Sequence, residues 1–162
     1  MSCHGLSVVN VSDEAIAGGA HGWEPTQASA HLRGRVISGT KPELTLRSAL
    51  HARGLRYRLN RRVGRYRPDI VFPGSRIAVF VDGCFWHGCP QHGAKGFRGP
   101  NALKWREKLD ANQDRDNRAA GELGEQGWQV VRIWECEIQR DVRAAATRIE
   151  SAVQDARAPG SA

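Results

Sequence analysis

The chain has 162 residues, room for one domain with a real core, and its 40% hydrophobic and 25% charged content excludes global disorder. Its 24 Lys+Arg against 17 Asp+Glu give a formal net charge of +7, and no apolar run approaches the roughly 18 residues of a membrane span. The first residues, Met1-Ser2-Cys3-His4-Gly5, lack the basic and apolar regions of a signal peptide, so a reducing cytosol is expected, where cysteines ligate metals more readily than they pair.

Residues 1–35 hold scattered Gly, Ser and Ala, including Gly18-Gly19-Ala20, and are expected to form a disordered tail. This stretch also masks charge. Residues 1–34 carry one basic group, Arg33, against Asp13, Glu14 and Glu24, so the remainder holds 23 basic and 14 acidic residues, a balance of +9. One folded domain is expected over residues 36–157, with 158–162 fraying. It opens on a helix with Thr40 as N-cap, Pro42 in the first turn and Glu43 completing a capping box. Leu44, Leu46 and Leu50 supply its apolar contacts as far as about Arg53, where Gly54 stops it. A short strand follows over Leu55–Leu59, then an arginine-rich turn. Arg53 to Arg67 contains seven arginines and no acid, the footprint of a polyanion binder; a merely solvated surface is the alternative.

Asp69–Phe72 and Ile77–Val81 read as β-strands joined by Pro73-Gly74-Ser75-Arg76, and their nearly unbroken apolar character places them centrally, covered on both faces. Cys84–Gly99 is a Gly-, His- and Cys-rich loop without a period. Asn101 to about Gln126 reads as a long helix with Leu103, Leu109 and Leu123 inward. Trp128–Trp134 is a further strand, with both tryptophans in the core, and Val142–Ala156 is a closing helix. The order α-β-β-β-α-β-α predicts an α/β fold, a central mixed sheet flanked by helices.

Chemistry concentrates around the loop. Cys84-x4-Cys89-x2-His92, with Cys136 after the last strand, offers three thiolates and an imidazole, a closed tetrahedral set suited to structural zinc. The competing reading is three unrelated buried cysteines; Cys3 is a bystander. Asp69 and Asp82 stand at the ends of adjacent strands, a natural seat for Mg²⁺, and His87 lies close enough in sequence to deprotonate a water. Each has a plainer alternative: a strand-capping Asp69, a turn-forming Asp82-Gly83, a His87 recruited to zinc. Phe85-Trp86 in the loop, with Trp105 at the start of the long helix, suits a wedge that unstacks a base step, or else packs over the zinc loop.

The string Phe80-Val81-Asp82-Gly83-Cys84-Phe85-Trp86-His87-Gly88-Cys89 resembles the signature of the very short patch repair (Vsr) endonucleases, bacterial enzymes that nick DNA beside T:G mismatches. The similarity runs from Gly39-Thr40-Lys41-Pro42-Glu43 through Arg67-Pro68-Asp69 to Trp134-Glu135-Cys136. It implies a single-domain restriction-endonuclease-like (PD-(D/E)xK) core with a structural zinc loop. By this resemblance Asp69 binds Mg²⁺, together with the backbone carbonyl of Val81. His87 is the general base, Asp116 orients it, and Glu43 is a catalytically important acid. Phe85, Trp86 and Trp105 intercalate next to the mismatch, and Cys84, Cys89, His92 and Cys136 hold Zn²⁺. The expected partner is double-stranded DNA containing a mismatch, bound by a monomer whose Arg61, Arg62 and Arg65 grip phosphates. Other mismatch-repair proteins are further candidate partners, and the expected location is the nucleoid of a bacterial cytoplasm.

The chain also departs from that pattern. Where the family's best-known member has a His directly before the Gly-Cys, this chain has Asp82, which could bind a metal or its water. Cys89 stands where that member has a His, so the second loop ligand shifts to His92. The lysine of the (D/E)xK motif is absent, and His87 has to serve. The rival functions are a nuclease of the same fold with another DNA specificity, and a zinc-stabilised DNA-binding module without catalysis.

Overall fold

The computed structural model describes residues 39–93 and 97–158; the expected tail over 1–35, and 159–162 of the expected frayed end, lie outside these. Helix α1 (Lys41–Ala52) begins where Pro42 and Glu43 place it. The cap differs in detail from a capping box: the Thr40 hydroxyl donates to Glu43 Oε1 at 3.1 Å, and the Gly39 N–H donates to Glu43 Oε2 at 2.8 Å. Gly54 turns the chain out of the helix at φ +75°, with Leu55 N–H returning to the Leu50 carbonyl at 3.1 Å.

Strand β1 (Ile70–Phe72) runs through a 3-10 turn, Pro73–Ser75, into β2 (Ile77–Asp82), and the two pair antiparallel with Val71 opposite Ala78. A short helix α2 (Cys84–His87) and a long helix α3 (Ala102–Glu125) lead to β3 (Gln129–Trp134). β3 pairs parallel with β2, Phe80 opposite Arg132 and Asp82 opposite Trp134, so β2 is the central strand of a mixed sheet. Helix α4 (Glu135–Asp155) closes the described chain.

The strands are buried on both faces, as their continuous apolar runs require. Ile70, Phe72, Ile77, Val79 and Ile133 point to one side, against Leu46 and Leu50 of α1 and Ile149 and Val153 of α4. Val71 and Ala78 point to the other, against Leu123 of α3, with Phe80 and Trp128 packed around them. The result is a sheet between two helical layers.

Four expectations need correction. Leu55–Leu59 is not a strand: Arg58 makes a single antiparallel bridge to Val71, exchanging hydrogen bonds of 2.8 and 2.9 Å, before Asn60 turns the chain away at φ +54°. The loop after β2 contains α2. The closing helix begins seven residues early, at Glu135, because the Glu137 carboxylate accepts the Trp134 N–H at 2.8 Å. It then breaks at Asp141 (φ −156°), whose Oδ1 accepts from Arg143 and Ala144 N–H at 3.0 Å and starts the expected second segment. Finally, Leu44 and Leu103 face solvent, and Trp134 is half-buried outside the two cores, whereas Trp128 packs on the second.

Candidate active site and metal centre

The acidic and imidazole groups singled out in the sequence gather at the end of β2. Asp69, just before β1, is held by its own strand partner: its N–H donates to the Val79 carbonyl at 3.0 Å and its Oδ2 accepts the Val81 N–H at 2.7 Å. Oδ1 accepts no hydrogen bond from the described residues. Burial pushes the Asp69 carboxyl up to about 6, and the charges of Glu43 and Asp82 add to it, while the Val81 N–H and Arg47 pull the other way. Glu43 on α1 is itself buried and paired with Arg47 at 2.8 Å. This excess of negative charge beside a carboxylate oxygen without a hydrogen bond among the described residues suits a divalent cation with hard-oxygen preference, so Asp69 fits a Mg²⁺ ligand.

Beside it lies a second group. His87 Nδ1 stands 2.6 Å from Asp116 Oδ2 on α3, and 3.7 Å from Asp82 Oδ1. Burial works against the Asp116 charge, but the hydrogen bond and charge of His87, with Arg132 and Arg115, hold its carboxyl below the usual range. An ionised Asp116 can only accept, so the shared proton belongs to His87 Nδ1, and Nε2 is the ring's other face. Asp82, His87 and Asp116 are close enough for one ion. Arg132 already supplies the positive charge there: Nε and Nη2 donate to Asp82 Oδ2 and Oδ1 at 2.6 Å each, and Nη2 lies 3.1 Å from Asp116 Oδ2.

Sequence reasoning missed Arg132. Its signal was a lone charge within the apolar strand Val130-Val131-Arg132-Ile133, where a half-buried guanidinium demands a partner.

Helix α2 carries His87 and is anchored from three directions. The Cys84 N–H donates to Glu135 Oε1 at 2.9 Å, and Asn112 Nδ2 of α3 donates to the Trp86 carbonyl at 2.9 Å. Gly88 ends it at φ +70°, the left-handed region that favours glycine. The third anchor is the cysteine cluster. One ligand atom from each of Cys84, Cys89, His92 and Cys136 falls within 4.8 Å of every other. Cys89 Sγ is 3.7 Å from Cys136 Sγ and 4.0 Å from His92 Nδ1. A tetrahedral zinc with bonds of about 2.3 Å separates its sulfurs by about 3.8 Å, so the set fits Zn²⁺. Burial pushes the Cys84 thiol up to about 12 in the absence of a cation; a bound metal reverses that preference.

Phe85, Trp86 and Trp105 come together as one aromatic cluster, with ring centroids 5.2–5.8 Å apart. Phe97 joins them, stacked on Trp105 at 6.3 Å and 17°; a loop without periodicity gave no signal for it. Lys108 lies 5.5 Å over the Trp86 ring, and burial holds its ammonium below its usual range. Of the arginine cluster, Arg61 and Arg62 are exposed, whereas Arg65 is tied to Glu122 of α3 and to the Tyr66 hydroxyl at 3.3 Å. Arg53 is structural, bonded to Glu150 of α4 at 2.6 Å.

Comparison with known proteins points the same way. The family described as DNA mismatch endonuclease Vsr matches residues 21–92. The type II nicking enzyme V.NaeI of Lentzea aerocolonigenes is 44% identical over 72% of this chain and 72% of its own length. V.XorIIP of Xanthomonas oryzae is 41% identical over 69% of this chain and 81% of its own. The DNA mismatch endonuclease Vsr of Escherichia coli is 34% identical over 68% and 70%. In fold, the catalytic domain of the homing endonuclease I-Bth0305I superposes at a TM-score of 0.52 with 18% identity, over 74% of this chain and 99% of its own.

Proposed function

Since the chain belongs to the Vsr family of DNA mismatch endonucleases, we propose that it nicks duplex DNA beside a T:G mismatch by Mg²⁺-dependent hydrolysis of one phosphodiester. That it is a DNA endonuclease, hence a hydrolase, follows from the family, and this removes the reading as a non-catalytic binding module. The observation that carries the proposal is the 2.6 Å contact between His87 Nδ1 and Asp116 beside the partly unsatisfied Asp69.

Asp69 and the Val81 carbonyl would hold Mg²⁺, which when bound supplies Lewis-acid polarisation of the scissile phosphate. Asp116 fixes the ring of His87 so that Nε2 is the nitrogen left to take a proton from the attacking water. In-line attack leaves a 5′-phosphate and a 3′-hydroxyl. Glu43, buried at the same end of the sheet, holds the start of α1 through Gly39 and Thr40 and contributes negative charge to the Asp69 seat. Zn²⁺ on Cys84, Cys89, His92 and Cys136 would be structural, since four protein ligands leave no open position for water. Phe85, Trp86 and Trp105 form the wedge, and a mismatch yields to it more readily than a paired step. Arg61 and Arg62 face the phosphates, and Arg65 would join them by exchanging its Glu122 partner for a phosphate. The protein acts as a monomer on mismatched duplex DNA in a bacterial cytoplasm, at the nucleoid, alongside other mismatch-repair proteins.

A second reading, the same chemistry with another DNA specificity, is favoured by Asp82, which stands where the family's best-known member has a His. The test of the mechanism is Asp69→Ala. It should abolish Mg²⁺-dependent nicking while leaving DNA binding in place, and retained nicking would defeat the assignment.

A further inference from the structure

Arg132 sits mid-strand in β3, yet its guanidinium spans three elements. Asp82 at the end of β2 takes two of its N–H groups at 2.6 Å, and Asp116 on α3 lies 3.1 Å from Nη2. The Asp116 oxygen concerned, Oδ2, is the same one that accepts from His87 Nδ1. One carboxylate oxygen therefore joins the guanidinium to the imidazole. The Phe80 ring supports the guanidinium from one face at 5.2 Å, and the Arg132 carbonyl accepts from Arg148. Nη1 is buried without a partner among the described residues. An ion pair between buried Asp82 and half-buried Arg132, with an unsatisfied donor, is a poor device for stability, because desolvation offsets much of its attraction. Its location is better explained by what it holds.

Resting on the assignment of His87 as base, we propose that Arg132 is a positioning residue of the nuclease reaction: anchored by Asp82, it fixes Asp116 in the orientation that aligns His87. Asp82 is then the anchor, each of its oxygens accepting one N–H of the guanidinium at 2.6 Å. Asp116 lies on the side of α3 that also carries Asn112 and the buried Ala119 and Leu123, and its carboxylate is held there by His87 and Arg132.

The experiment is single-turnover nicking by the zinc-loaded full chain at saturating DNA. The informative variant is the double change Asp82→Asn with Arg132→Met, which avoids the unpaired buried carboxylate that Arg132→Met alone would leave. It should melt as the parent does and bind DNA with unchanged affinity, yet cleave about 100-fold more slowly, the scale of a small misalignment of a reacting group. A folded double variant with the parental rate overturns the proposal, because the pair is then structural only. If the double variant does not fold, Arg132→Lys decides: it keeps the charge but cannot span two carboxylates. A similar loss of rate with unchanged binding supports positioning, and a parental rate overturns it. His87→Ala, run in parallel, separates the two assignments. If it cleaves normally, His87 is not the base and the role of Arg132 falls with it. If it is inactive while the Arg132 variants are fully active, only the role of Arg132 is lost.

Discussion

Asp69 carries opposing demands. Its carboxyl is pushed up to about 6 by burial and by the charges of Glu43 and Asp82, so the folded chain binds a proton there more tightly than the unfolded chain. Its contribution to stability is present in full below about pH 4 and is lost as the pH rises through 6. In EDTA, Asp69→Asn should therefore melt higher than the parent above pH 7, by about 1–3 kcal/mol, and close to it below pH 4. Thermal melts across pH check this; a difference independent of pH would contradict it. Asp69 and His87 were legible from residue type and position, one at a strand start, the other in the loop next to a strand end. Asp116 was not: Asn112-Gln113-Asp114-Arg115-Asp116 reads as a solvated helix face, and only the resemblance to the family singled it out. Arg132 stayed hidden because its partners lie on other elements, 50 and 16 residues away in sequence.

At the scale of elements, α2 shows what the loop carrying Cys84, Cys89 and His92 is for. Four residues are too few to hold a helix by backbone hydrogen bonds alone, so the pose of His87 depends on Glu135, Asn112 and the cysteine cluster. Cys136→Ser should release zinc and lower the melting temperature markedly, with metal content measured alongside; a variant that keeps both zinc and stability would refute the ligand set. The aromatic cluster makes a related prediction. Trp105→Ala should weaken binding to mismatched DNA by about 1–3 kcal/mol in a titration, with a smaller effect on matched duplex. Both central strands and the long helix were readable because their hydrophobic patterns are long. The Leu55–Leu59 segment was misread because its alternation of leucine or tyrosine with arginine imitates a half-buried strand, whereas only Arg58 of this segment pairs with the sheet. Leu44 and Leu103 were placed inward by type, and the three-dimensional packing left them outside. The early start of α4 depends on a Glu137 cap that a single i to i+3 spacing did not distinguish from chance.

The whole molecule is an acid-lined site inside a basic chain. Seven arginines precede Asp69, and the structure divides them: Arg53 fastens α1 to α4, while Arg61 and Arg62 stay exposed for a polyanion. Replacing both exposed residues by alanine should flatten the dependence of log affinity on log salt by about 1 for each phosphate no longer neutralised, and equally on matched and mismatched duplex. An unchanged slope would remove them from the DNA interface. On the proposed function, charge supplies attachment without discrimination, the wedge supplies discrimination, and the Asp69 and His87 groups supply cleavage. The central claim joins the last two, and one assay reaches it directly: nicking of two duplexes that differ only in a T:G against a T:A pair, each in Mg²⁺ and in EDTA. A nick beside the T:G pair in Mg²⁺ alone is the predicted result. Equal cleavage of both duplexes, or cleavage that survives EDTA, would contradict it.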